Sequence, residues 1–174
     1  MTGTTLSLEA LNALPATSFV AALGKAFEQA DLVAHLRVTM QGRQHSRDVR
    51  AAMQRENPEL PIPHPISIDY TTYSVDVLEV FKGDQHAVVG ASIDVEQFAR
   101  SAVALDVGSD YVAFIRRNPL LELLEISQFS LFRLDTGVVI PMSPHARQIP
   151  VGRELSGMPR AALLERLRAM RGAP

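Results

Sequence analysis

The chain has 174 residues, no Cys, no Trp and a formal net charge of −2. Lack of Cys excludes disulfides, thiolate catalysis and cysteine metal sites, and so small a charge gives no global field to draw nucleic acid or an anionic membrane. Apolar residues at 47% and charged residues at 21% are the balance of one packed domain, not of a disordered chain. No apolar run approaches the roughly 20 residues of a membrane span. The first residues carry no basic segment, and Glu9 sits among apolar neighbours, so they do not read as a signal peptide. The expected location is therefore cytoplasmic.

Ser7 is placed to cap a short helix over residues 8–14, which Pro15 ends. Thr17 is placed to cap a second helix. On it Phe19, Leu23 and Phe27 recur at i, i+4 and i+8, a stripe that predicts packing against one end of a sheet. Residues 32–40 read as the first strand. Leu32, Ala34, Leu36 and Val38 share one face; Val33, His35, Arg37 and Thr39 share the other. The second set is more polar and predicts a face toward solvent or a groove, with His35 half-exposed.

Residues 41–67 read as an insertion between two strands that pair. Gln41 to His45 is polar, and Ser46 is placed to cap a helix that ends near Arg55, with Val49 and Met53 on its inner side. Pro58, Pro61, Pro63 and Pro65 then block helix and central strand, which predicts an extended, polyproline-like tether. Long excursions of this kind often carry function. Arg43, His45, Arg47, Arg50 and His64 are the candidate binding residues, a set able to attract an anion. The plainer alternative is a solvated helix on a stiff tether, because Asp48, Glu56 and Glu59 dilute the positive charge.

Residues 68–83 form the longest β-type run. Tyr73, Val75 and Val77 share a face, and then the phase slips so that Leu78 and Val80 become the apolar partners. One extra residue near Val77–Leu78, a β-bulge, accounts for the slip and bends the strand. A long bent strand suits a small barrel. Residues 90–98 read as a third strand. Residues 111–116 read as a fourth, apolar nearly throughout and therefore central. Residues 120–125 have helical composition but the position of a hairpin arm. Phe129 to Leu134 and Val138 to Ile140 flank Asp135-Thr136-Gly137 as a hairpin, with Gly137 supplying the positive φ of the turn. Residues 141–158 read as loop, punctuated by proline and glycine. Pro159 then opens a C-terminal helix with Leu163, Leu167 and Met170 inward and Arg160, Arg166, Arg168 and Arg171 on its other faces.

The run from Tyr70 to Gly83, with Ala30-Asp-Leu-Val33, Val107-Gly-Ser-Asp-Tyr-Val-Ala-Phe114 and Phe132-Arg-Leu-Asp-Thr-Gly137, resembles a group of uncharacterised bacterial proteins. That group is similar to the tissue-inhibitor-of-metalloproteinase or OB-like barrel. The likeness covers about residues 30–140 and rests on strand ends, so it implies a fold and not an activity. Members are often exported. Animal inhibitors with this barrel place an N-terminal Cys on the target metal, which this Cys-free chain cannot do. The segment from Leu8 to Glu28 is separately similar to the first helices of the ureidoimidazoline decarboxylases. Those are all-helical lyases with a catalytic His before Pro, a role that only His64-Pro65 could fill.

No nucleophile elbow, phosphate loop, His-Glu-x-x-His or dinucleotide fingerprint occurs, and the five His have no metal-ligand spacing. Asp94 and Glu96 share a strand face, as a carboxylate pair would, although a solvated strand face is the favoured explanation. The expectation is a single mainly β (α+β) domain over 1–174. It has helices in 1–30, a small antiparallel OB-like β-barrel over 31–140 carrying the 41–67 insertion, and a C-terminal helix within 156–172. The expected function is a non-catalytic binding module with a protein partner, no cofactor, no metal and no nucleic acid. The alternatives are the lyase and a structural assembly subunit.

Overall fold

The computed structural model describes residues 16–83, 90, 92–98, 104–118, 120–121, 123–143 and 148–172. The helix expected over 8–14, together with His86 and His145, lies outside the described residues. Among the described residues, a mainly antiparallel sheet of six strands runs in the order β3-β2-β1-β4-β5-β6. Its strands are β1 (Leu32–Asp48), β2 (Ser67–Lys82), β3 (Ser92–Phe98), β4 (Asp110–Asn118), β5 (Leu123–Arg133) and β6 (Ile140–Pro141). The described helices are α1 (Ala16–Gln29), α2 (Arg50–Glu56), α3 (Pro150–Leu155) and α4 (Arg160–Arg171). β3 also pairs in parallel with β5, at Glu96↔Glu125 and Gln97↔Ile126.

The phase slip in β2 is a bulge. His35 pairs with Glu79 and Leu36 with Val77, which leaves Leu78 as the extra residue. A second irregularity, between Val33↔Lys82 and Ala34↔Val80, skips Phe81. β4 lies between β1 and β5, and its first six residues are buried, as an apolar central strand requires. The turn after β5 uses Gly137 at φ 82°, where a side chain would be strained. The Gly137 N–H donates to the Leu134 carbonyl at 3.3 Å.

Apolar side chains gather on both faces of the sheet. One cluster holds Leu36, Val38, Tyr73, Val75, Val77, Val95, Ala113 and Leu131. The other holds Val33, Phe81, Val112 and Phe132 beneath Leu23 of α1, Leu155 of α3 and Leu163 and Leu167 of α4. Burying a leucine of this kind stabilises the fold by about 1.5–3 kcal/mol. This second cluster corrects the reading of β1. The face of Val33 and His35 does not meet solvent, because the C-terminal helices cover it, and His35 is only 6% exposed.

Three further boundaries differ from expectation. β1 does not end at Met40 but stays paired with β2 as far as Asp48↔Ser67, so the excursion between the strands shrinks to residues 49–66. Ladder bonding is a backbone property, and a strand that is polar on both faces gives no period to read. Val49, not Ser46, precedes the helix, and the Asp48 carboxylate accepts the Arg50 N–H at 2.9 Å. Residues 150–155, read as loop, form α3, with Pro150 in its first turn, where a missing N–H costs nothing. Gly42 lies in a β1 irregularity between Gln41↔Tyr73 and Gln44↔Thr71. A Cβ there would stand 2.9 Å from the Thr72 carbonyl oxygen, so the close approach of the strands requires glycine.

Candidate functional site

The five sequence-derived candidates lie on the outer part of the β1–β2 hairpin and on the connection at its tip. After the irregularity at Gly42, strand alternation puts Arg43, His45 and Arg47 on one face. Cross-strand register adds Tyr70 opposite His45 and Ile68 opposite Arg47. The His45 and Tyr70 rings stack at 5.2 Å with an interplanar angle of 21°. Asp48 falls on the other face, and so does Asp69, opposite Ser46. One face of the hairpin is therefore basic and aromatic, whereas the other is acidic and neutral.

The candidates do not act as one group. Arg47 spends one guanidinium N–H on the Leu121 carbonyl at 2.6 Å, and Arg50 donates Nε to the Ile62 carbonyl at 2.9 Å. Both pin a backbone segment. Gln54 ties down the proline-rich tether as well, donating to the Leu60 carbonyl and accepting the Ile62 N–H. His64 is exposed on that tether, separate from the basic face. Arg43 and His45 are exposed and free to meet a partner.

The same hairpin has an open edge. β4 pairs with β1 only from Leu32 to Arg37. Val38 exchanges backbone bonds with the Val107–Ser109 turn, its N–H donating to the Ser109 carbonyl at 3.2 Å and its carbonyl accepting the Gly108 N–H at 2.7 Å. Among the described residues no strand pairs with residues 39–48 on the side away from β2. Met40 and Val107 expose apolar side chains where the edge opens.

Sequence reasoning missed a second concentration of charge, at the buried end of the sheet. Asp110, the first residue of β4, is buried among three cationic or titratable partners. Arg37 donates Nε to Asp110 Oδ1 at 2.7 Å and Nη2 to Oδ2 at 3.3 Å. Arg160, the first residue of α4, donates Nη2 to Oδ2 at 3.2 Å, and His35 Nε2 lies 3.3 Å from the same oxygen. Burial alone would raise the Asp110 carboxyl, but hydrogen bonds from Arg37 and His35 outweigh it and hold the group below its usual range. Burial lowers the His35 imidazole despite that carboxylate. A neutral imidazole donating Nε2–H to an ionised Asp110 satisfies both results.

α4 is anchored beside this cluster. Arg168 forks onto Glu79 with two bonds of 2.8 Å, and Arg171 donates to the Val80 carbonyl at 3.0 Å. The hydrogen bonds from Arg168 lower the Glu79 carboxyl. Asp110 and Glu79 thus bind the C-terminal helix to the strands. The ion pairs of Asp110 among the described residues are to His35, Arg37 and Arg160, and those of Glu79 are to Arg168 and Arg171. Among the described residues, no group of three or more His, Asp or Glu could hold a metal ion, and no helix is long and apolar enough to cross a membrane.

No protein-family model matches the chain, and no curated protein matches it significantly.

Proposed function

We propose that the chain is a non-catalytic protein-binding module, built as an OB-like barrel, that takes an extended acidic segment of its partner along the open edge of β1. The parallel pairing of β3 with β5 supports the barrel, since it brings the first strand in the sheet order to the fifth. The observation that carries the function is the edge at residues 39–48, which no strand among the described residues covers. Unpaired strand N–H and C=O groups are a template for a further strand. Arg43 beside that edge supplies positive charge for carboxylates, His45 supplies a ring nitrogen for hydrogen bonding, and Met40 and Val107 supply an apolar anchor at its inner end. The Arg43 charge discourages pairing between two copies, because like charges would face one another.

Selecting short peptides from a displayed library against the full chain tests this reading. The expected binders are extended and acidic, and they shift backbone amide resonances of residues 39–48. Their affinity falls as salt rises, and Arg43→Glu lowers it by at least about tenfold. Shifts centred elsewhere, or binders that are neutral and indifferent to salt, reject the edge. A ureidoimidazoline-decarboxylating activity that disappears in His64→Ala would instead favour the lyase alternative.

A further inference from the structure

α1 lies over the sheet unevenly. Its residues Leu23 and Phe27 fill the core with large side chains, whereas Ala26 and Ala30, the latter just beyond the helix end, are small members of the same cluster and line a space with Phe114 of β4. The result is a cavity of about 370 Å³, the size of a small-molecule site. Its floor is firm: Phe114 meets Phe132 edge-to-face at 6.0 Å. Its helical wall is tied down too. Lys82 Nζ donates to the Phe27 and Glu28 carbonyls at the end of α1, and the Asp31 N–H donates to the Ile115 carbonyl at 2.9 Å.

Two opposite charges open onto this cavity, Arg116 of β4 and Glu125 of β5. They are direct cross-strand partners in the ladder. Opposed residues of unlike charge in that position ordinarily pair with each other. Here they do not. The Arg116 guanidinium donates to the Gln29 side-chain oxygen at 2.8 Å, and the Glu125 carboxylate accepts from the Asn118 amide at 2.9 Å. Each charge is held by a neutral amide, and neither has an ion-pair partner among the described residues. Burial raises the Glu125 carboxyl, the expected response of a carboxylate without a cation.

We propose that this cavity binds a small zwitterion, a free α-amino acid with an apolar side chain. Its carboxylate would meet Arg116, its ammonium Glu125, and its side chain would lie over Phe114 between Ala26 and Ala30. Such a ligand supplies both missing counter-charges at once and fills the apolar gap that the alanines leave. The site is separate from the open edge of β1 and does not depend on it.

Calorimetry and thermal unfolding of the full chain test the proposal with free leucine, valine, methionine and phenylalanine as probes. At least one of these should bind and raise the Tm, since a ligand of the folded state stabilises it by mass action. Its amide, which lacks the carboxylate, and its N-acetyl derivative, which lacks the ammonium, should each bind at least about tenfold more weakly. Arg116→Gln and Glu125→Gln should weaken the free amino acid to a similar degree. Ala26→Leu should abolish binding while the unliganded Tm holds or rises, because the added side chain fills the gap. No heat and no Tm shift with any probe overturns the proposal. So does binding that survives Ala26→Leu, or equal affinity for the blocked derivatives.

Discussion

The two halves of β1 are one continuous strand with opposite surroundings. Residues 32–38 are buried except for Arg37 and are bonded on both edges, to β2 and to β4 or the turn before it, whereas residues 39–48 are exposed apart from partly covered Gly42 and, among the described residues, pair with β2 alone. Covalent continuity does not make a strand uniform; what packs on its faces and edges does. In the first half, side chains are fixed by two clusters of core residues. In the second, the backbone ladder with β2 holds the shape, and the side chains are left for solvent or a partner.

Substitutions in the two halves should therefore differ sharply. Leu36→Ala in the first half removes a fully buried side chain and is expected to destabilise by about 2–5 kcal/mol. Gln44→Ala in the second half should stay within about 0.5 kcal/mol. Urea denaturation checks both, as a fall in midpoint at constant slope for the first and almost no change for the second. An equal effect of the two would mean that the outer half packs against something it does not touch in the described structure.

Next in size is Asp110→Ala, expected to cost about 3 kcal/mol, because it leaves the buried His35 donor without an acceptor and α4 without its Arg160 tie. The same site sets an acid limb. Both Asp110 and His35 hold protons less tightly folded than unfolded. The unfolded chain therefore binds more protons, and stability falls as pH drops. The loss begins below about 6.5, where an unfolded His protonates, and continues through the carboxylate range as Asp110 takes a proton. A urea midpoint measured against pH should decline over that interval in the native chain, and His35→Gln should remove the upper part of the decline. A midpoint flat from neutral pH to the carboxylate range would show that the imidazole is not held neutral.

A smaller loss than that of Asp110 is expected at the position of the outer half where the backbones approach closely. Gly42→Ala should cost about 1–3 kcal/mol by forcing β1 away from the Thr72 backbone. Loss of hydrogen-exchange protection should be confined to the hairpin beyond residue 41, with residues 32–38 unaffected. Protection lost over the whole strand would make the two halves one cooperative unit.

Legibility in the sequence followed the same division. The bulge at Leu78, the central position of β4, the Gly137 turn and the inward face of α4 could all be read, because burial imposes a period or a special φ on the residue types. The extension of β1 to Asp48 could not. Gln41, Gln44, Ser46 and Arg47 face water or a carbonyl, so nothing in their order distinguishes strand from loop, and the ladder with residues 67–71 decides it. His35 was misplaced for a related reason. Its strand face looks polar in isolation, and only helices from more than a hundred residues later bury it. Of the candidate site, Arg43 and His45 were legible as exposed polar side chains. The backbone duties of Arg47 and Arg50 and the convergence of His35, Arg37 and Arg160 on Asp110 join distant parts of the chain and leave no local trace. The weak cue that existed was an Asp standing at the start of an otherwise apolar strand.

The cover supplied by the last two helices has a consequence for synthesis. Val33, Phe81, Val112 and Phe132 form an oily surface that Leu155, Leu163 and Leu167 shield. From the moment residue 132 emerges from the ribosome until residue 167 follows it, the cover from α3 and α4 is missing and only that from α1 is in place. A nascent chain in this interval has every reason to stick to its neighbours, and it is the natural client for a chaperone at the exit tunnel.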